Sequence, residues 1–223
     1  MAITAIFLAV VATIVVWWLS HQRLAAKPWL EQGVIGADAP DAGVTRTRTA
    51  MIGLGVFLTV AGSLFALFAS AYTMRMHMGA DWRALPVPFL LWPNTAVLVA
   101  SSVALHRAQL AARGGSMDRA RDALLLGGGL ALLFLAGQLL VWRQLDAAGY
   151  FVAANPANAF FYLLTAVHGL HVLGGLVALA RATAKVWGGG EPDRVRLSVE
   201  LCAVYWHFLL LVWLVLFALL LHH

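Results

Sequence analysis

The sequence predicts an all-α, polytopic membrane helix bundle with six transmembrane helices and both termini outside. Three observations carry this. The 223 residues are 62% hydrophobic and only 11% charged, with a mean hydropathy of +0.83; a soluble domain is nearer half apolar and a quarter charged. Six segments reach the length of about 20 apolar residues that a helix needs to cross a bilayer. Basic residues alternate between the loops that join those segments. The formal charge of +5 does not point to nucleic acid, because the cations lie in short loops rather than on one patch. A single cysteine, Cys202, excludes an intrachain disulfide and any Cys-rich metal site.

The first segment, residues 2–19, has no basic residue before it and a long apolar core. It reads as a permanent anchor rather than a signal peptide, and residues 1–23 form an N-terminal transmembrane helix. Residues 24–49 are rich in Ala, Gly, Pro and Thr and read as a flexible cytoplasmic linker. The remaining domain, 50–223, holds spans at 50–73, 86–106, 123–142, 159–180 and 200–221. Pro86, Pro88 and Pro93 predict that the third span is bent or starts late. Gly53, Gly55 and Gly62 in the second span, Gly127, Gly128, Gly129 and Gly137 in the fourth, and Gly174 and Gly175 in the fifth are small enough for close helix approach in lipid.

Loop charge sets the orientation. Arg23, Lys27, Arg46, Arg48, Arg107, Arg113, Arg119, Arg121, Arg181, Lys185, Arg194 and Arg196 lie in one set of loops. Only Arg75, Arg83 and Arg143 lie in the other. The positive-inside rule places the first set in the cytoplasm. Trp17, Trp18, Trp82, Trp92 and Trp142 fall near span ends, as in an interfacial aromatic belt. No phosphate-binding loop is present: the Gly188–Gly190 run lacks the Lys and Ser/Thr such a loop requires.

Polar residues inside spans are expensive and face the protein interior, a pocket or a partner. Here they are few. His168 and His171 share a face of the fifth span, being three apart. Glu200 and His207 share a face of the sixth, Gln138 lies in the fourth, and Asn94, Thr95, Ser101, Ser102 and His106 lie in the third. Three readings compete for the histidines. They could ligate haem or another metal, but a bis-His haem needs one His on each of two helices at one depth. They could relay protons, but Glu200 is the only carboxylate inside a span. They could be hydrogen-bonded contacts between helices, or line a lipid pocket. The Met74, Met76, Met78 alternation with Arg75 and His77 fits soft-metal ligation and equally a loop leaving a helix. Trp206 and Trp213, seven apart on one face, read as packing or lipid contact.

The order and content of these residues resemble the cytochrome c oxidase subunit III family. AFFYLLTAVHGLHVLGG, residues 159–175, is similar to that family's FFxxTGxHGLHVxxG signature. Glu200 followed by Tyr205-Trp206-His207-Phe208 and Trp213 is similar to its E-x4-YWHFVDVVW. Asn94-Thr95 with Ser101-Ser102, and Gln138 with Trp142, match two further motifs. The matches come in order over residues 50–221, one per span. The chain departs from the family at three carboxylates: Ala61, Val141 and Leu210 stand in their places. The first span carries no family motif.

The resemblance implies an accessory subunit with no catalytic centre, no haem and no copper of its own, in a bacterial respiratory haem–copper terminal oxidase that reduces oxygen to water and pumps protons. It implies oxidase subunits I and II as partners, haem and copper in those subunits, bound phospholipid, and a multi-pass place in the bacterial inner membrane. On that reading His168, His171, Glu200, His207, Gln138 and Trp206 form a structural polar seam between the last two spans or a lipid-binding site. Arg75 or Arg143 would sit at one lipid headgroup level and Arg181 at the other, beside a cleft of the second, fourth and fifth spans. Two other functions remain open: the related small subunit of a nitric oxide reductase, and a stand-alone haem-binding or transport protein.

Overall fold

The computed structural model describes residues 42–78, 81–188 and 192–221, with side chains from residue 48. The predicted first span and most of the linker lie outside the described residues. Five helices fill the described chain: α1 (Ala42–Met78), α2 (Leu91–Arg113), α3 (Met117–Ala147), α4 (Pro156–Trp187) and α5 (Pro192–Leu221). Four of them, α1, α3, α4 and α5, are long and apolar enough to cross a membrane, with mean hydropathies of 2.2, 2.2, 1.8 and 2.5 in their most apolar stretches. The protein is therefore an all-α, multi-pass membrane protein.

Two boundaries differ from those read in the sequence. Helix α1 begins at Ala42, inside the segment assigned to the linker. No Pro or Gly–Pro break lies between Ala42 and Ala50, and Ala, Val, Thr and Arg are all compatible with helix. Helix α2 begins at Leu91 rather than at 86. Pro86 and Pro88 cannot donate to a helical ladder and hold the chain extended before it, whereas Pro93 sits in the first turn, where no donor is needed. At 23 residues the helix is about 34 Å long, enough for a bilayer core of about 30 Å. Its hydropathy falls below that of the others because Asn94, Thr95, Ser101, Ser102 and Gln109 interrupt it, all of them buried.

The turns are set by local chemistry. Helices α2 and α3 both close in the same way, with a left-handed glycine just past the last turn. Gly115 has φ 74° and Gly149 φ 86°. The next residue's N–H reaches back five residues, Ser116 to the Ala111 carbonyl and Tyr150 to that of Leu145, each at 2.9 Å. This satisfies carbonyls the helix end leaves free. Helix α4 starts at Asn155, whose side chain accepts from the Ala157 N–H at 3.1 Å, with Pro156 in the first turn. The same Asn155 amide donates to the Arg83 carbonyl, which ties the α1–α2 loop to the start of α4.

Helices α2, α3, α4 and α5 pack in a ring, each against the next in the chain except that α2 also closes on α5. Helix α1 lies outside this ring over α4 and α5. Its Phe65 ring meets His171 at 5.1 Å and its Phe57 meets Tyr205 at 5.9 Å. The core is the inside of the ring, where Leu98, Phe134, Leu164, Trp206, Leu209 and Trp213 are wholly buried.

Close approach falls on some of the glycines and not on others. A methyl at Gly175 would come within 2.7 Å of the Trp206 ring, and one at Gly137 within 2.2 Å of the Asn94 side chain. Gly127 is similarly pressed by Leu105, at 2.8 Å. Gly53, Gly55, Gly129 and Gly174 face open space, and Gly62 is in ordinary contact with Phe208. The single-residue spacing matters because adjacent helix positions point about 100° apart.

Candidate functional site

The centre of the ring is where all four helices meet through polar and aromatic side chains. His168 of α4 is fully buried. Its Nε2 lies 3.1 Å from the Leu209 carbonyl of α5. A carbonyl only accepts, so Nε2 carries the proton and donates. The ring is enclosed by Trp213 at 5.0 Å, Phe134 at 5.7 Å edge-on, and Phe65 at 6.4 Å. Trp213 in turn donates its indole N–H to the Thr95 hydroxyl of α2 at 3.0 Å, and Thr95 donates to the Leu91 carbonyl at 2.7 Å. One layer thus joins α2, α3, α4 and α5.

A second layer repeats the device. Trp206 donates to the Ser101 hydroxyl at 3.0 Å, and Ser101 donates to the Gly127 carbonyl at 2.8 Å. An indole of α5 is thereby linked through α2 to the backbone of α3. At the far end of α3, the Trp142 N–H reaches Thr165 of α4 at 3.0 Å, and Tyr162 donates to the Tyr150 carbonyl at 3.2 Å. Each indole N–H and tyrosine O–H among these donors would otherwise be stranded in an apolar medium.

The predicted seam residues are not gathered into one seam. His168 faces α5, inside the ring. His171 turns toward α1, its Nδ1 donating to the Val167 carbonyl one turn back at 2.8 Å. His207 faces α2, where its Nδ1 meets the Ser102 hydroxyl at 2.6 Å and its ring lies 5.5 Å from His106. Glu200 also faces α2 and pairs with Arg113, while Arg196 donates to the Arg113 carbonyl at 3.1 Å. Glu200 and His207 do share a face, as their spacing predicts, but the helix opposite is α2 rather than α4. Gln138 is buried, and neither its Oε1 nor its Nε2 has a hydrogen-bond partner among the described residues. The hydroxyls that accept from Trp206 and Trp213 were legible only as a polar run in α2; nothing in the sequence paired them with α5.

The arginines also separate. Arg75 binds both carboxylate oxygens of Asp81, at 2.8 and 2.7 Å. That guanidinium holds the Asp81 carboxyl below its ordinary range. Arg181 lines a groove of about 410 Å³ with Lys185, Ser198, Leu54, Phe57 and Tyr205, between α1, α4 and α5. Arg143 lines a second, of about 600 Å³, with Trp142, Asp146 and Tyr162 between α3 and α4.

Chemically, the central layer can hold helices together but offers little to a cofactor. The Nε2 of His168 is committed to a carbonyl, and its ring is walled by aromatics. No group of three or more His, Cys, Asp or Glu side chains suited to a metal ion occurs among the described residues. The fold and this interior define a class: an integral membrane helix bundle with indole and imidazole hydrogen bonds running between its helices.

Comparison with known proteins supplies the family. The family model for cytochrome c oxidase subunit III matches residues 4–223, and the chain belongs to that family. Among its relatives, the probable cytochrome c oxidase subunit 3 of Mycobacterium leprae is 31% identical over 188 residues, covering 78% of this chain and 88% of the relative. The corresponding protein of Mycobacterium tuberculosis H37Rv is 30% identical over 177 residues, covering 76% and 87%. Cytochrome c oxidase subunit 3 of Synechocystis is 29% identical over 177 residues, covering 76% and 73%.

Proposed function

We propose that this chain is the accessory, non-redox subunit III of a bacterial respiratory haem–copper terminal oxidase. The observation that carries this is the family match over residues 4–223. In this reading the chain crosses the inner membrane six times with both termini outside, packs against oxidase subunits I and II, and catalyses nothing alone. The haem and copper that reduce oxygen belong to those partners. What the chain contributes is a rigid apolar surface. Large side chains such as Val60, Leu67, Leu132, Leu139, Leu170 and Leu211 are more than half exposed, and in a bilayer they meet lipid or a neighbouring subunit.

Phospholipid binding is the second part of the proposal. The groove is lined by two cations, Arg181 and Lys185, and by the apolar Leu54, Phe57 and ring of Tyr205, which suits an anionic headgroup with its acyl chain. Arg143 borders the other groove. Arg75 contributes less, because Asp81 already neutralises it. Lipid extracted from purified Arg181→Ala/Lys185→Ala chains should fall relative to wild type; unchanged bound lipid rejects the groove as the site.

Purification in a gentle detergent, followed by peptide identification of what accompanies the chain, tests the main reading. Oxidase subunits I and II are the expected partners. Recovery with the catalytic subunit of a nitric oxide reductase would replace the reading, and the loss of carboxylates at Ala61, Val141 and Leu210 makes that comparison informative.

A further inference from the structure

We propose that the last turn of α1 carries a surface site for a soft monovalent cation, Cu(I), formed by Met74, His77 and Met78. The sequence MRMHM at residues 74–78 contains three thioethers. The structure separates them: Met76 is partly buried and packs on the core, while Met74 and Met78 are 63% and 75% exposed. His77 is exposed as well. Residues 74, 77 and 78 stand at i, i+3 and i+4, so they occupy one helix face with Cβ atoms about 5–6 Å apart. That face thus carries two thioether sulfurs and one imidazole nitrogen on long or rotatable side chains.

The electrostatics favour a cation at this place. The final carbonyls of α1 lack partners within the helix and give its end a partial negative charge. The one permanent cation in the motif, Arg75, is turned to Asp81 and neutralised by two hydrogen bonds at 2.8 and 2.7 Å. Ligand softness selects the metal. Thioether sulfur favours Cu(I) over the harder divalent ions, and imidazole is compatible with it.

The test is competition for Cu(I), using the purified full chain in detergent under anaerobic, reducing conditions. The coloured Cu(I)–bicinchoninate complex is titrated with protein. Wild type should withdraw one Cu(I) per chain. Met74→Leu/Met78→Leu, which conserves volume at exposed positions and leaves the fold intact, should weaken binding by more than about tenfold. Met76→Leu should bind as wild type does. X-ray absorption of the loaded protein should show sulfur and nitrogen neighbours, with the nitrogen contribution lost in His77→Ala. Failure of wild type to withdraw copper overturns the proposal. So does a double variant that binds as tightly as wild type, since the copper would then sit elsewhere, or a Met76→Leu variant weakened as much as the double one.

Discussion

Helices α1 and α5 are nearly equal in apolarity in their most apolar stretches, with mean hydropathies of 2.2 and 2.5, yet 11% of the first stretch and 44% of the second is buried within the chain. The difference lies in the few residues that are not apolar. Helix α5 carries Trp206, Trp213, His207 and Glu200, and each finds a partner on α2. Helix α1 between Gly55 and Ser70 carries only hydroxyls that bond back to its own carbonyls, Thr59 to Gly55 and Ser63 to Thr59, each at 2.9 Å. In lipid, hydrocarbon contact does not distinguish a neighbouring helix from an acyl chain. Directional bonds and close packing therefore decide which helices associate.

A graded series of substitutions can break or sharpen this contrast. The largest effect should come from Gly175→Ala, whose methyl would meet the Trp206 and Tyr205 rings at 2.7 and 2.9 Å. Overpacking of this kind costs about 1–3 kcal/mol. Gly174→Ala meets nothing within 4 Å and should instead be neutral or stabilise slightly through helix propensity, by up to about 1 kcal/mol. Thermal melts in detergent should fall for Gly175→Ala and hold or rise slightly for Gly174→Ala. If both fell equally, the close approach of α4 to α5 would be wrong.

Next in size is Trp213→Phe. It keeps an aromatic ring against Phe134 and His168 but removes the donor to Thr95. An interhelical bond in a membrane protein contributes about 0.6 kcal/mol on average and rarely exceeds about 1.7. Leu67→Ala, on the exposed face of α1, should leave the isolated chain's melting unchanged. A loss for Leu67→Ala comparable to that of Trp213→Phe would erase the distinction between the two helices.

The Arg113–Glu200 pair is half open to its surroundings, with side chains 47% and 24% exposed. A double-mutant cycle of Arg113→Ala and Glu200→Gln should give a coupling of about 0–1 kcal/mol, smaller at high salt. A coupling insensitive to salt would mean that the pair is buried. The smallest effect belongs to Asp81. Its carboxyl is held below its ordinary value by Arg75, so its contribution is complete above the unfolded-state value and fades as pH falls through the folded one. Asp81→Asn should remove that acid-side dependence from the melting curve and leave neutral-pH behaviour close to wild type.

Much of the fold was legible because hydropathy and punctuation act locally. The spans at 123–142, 159–180 and 200–221 lie within α3, α4 and α5, and Pro86 and Pro88 announced the late start of α2 at Leu91. The site was legible only in part. Helical spacing correctly put Glu200 and His207 on one face, but spacing within a helix says nothing about which helix lies opposite. That is why α2, not α4, supplies Arg113 and Ser102. His168 and His171 are likewise neighbours in sequence with different surroundings, Phe134 and Trp213 of the ring interior for one and Phe65 of α1 at closer range for the other. Nor could composition separate Gly174 from Gly175.

The central claim is that the buried histidine serves packing and not redox chemistry. Haem content of the chain, purified and stripped of its partners, tests it most directly, with wild type and His168→Leu compared by visible spectroscopy. No haem absorbance in either protein, with a lowered melting temperature in the variant, is the predicted result. Stoichiometric haem in wild type that disappears in His168→Leu would contradict the account.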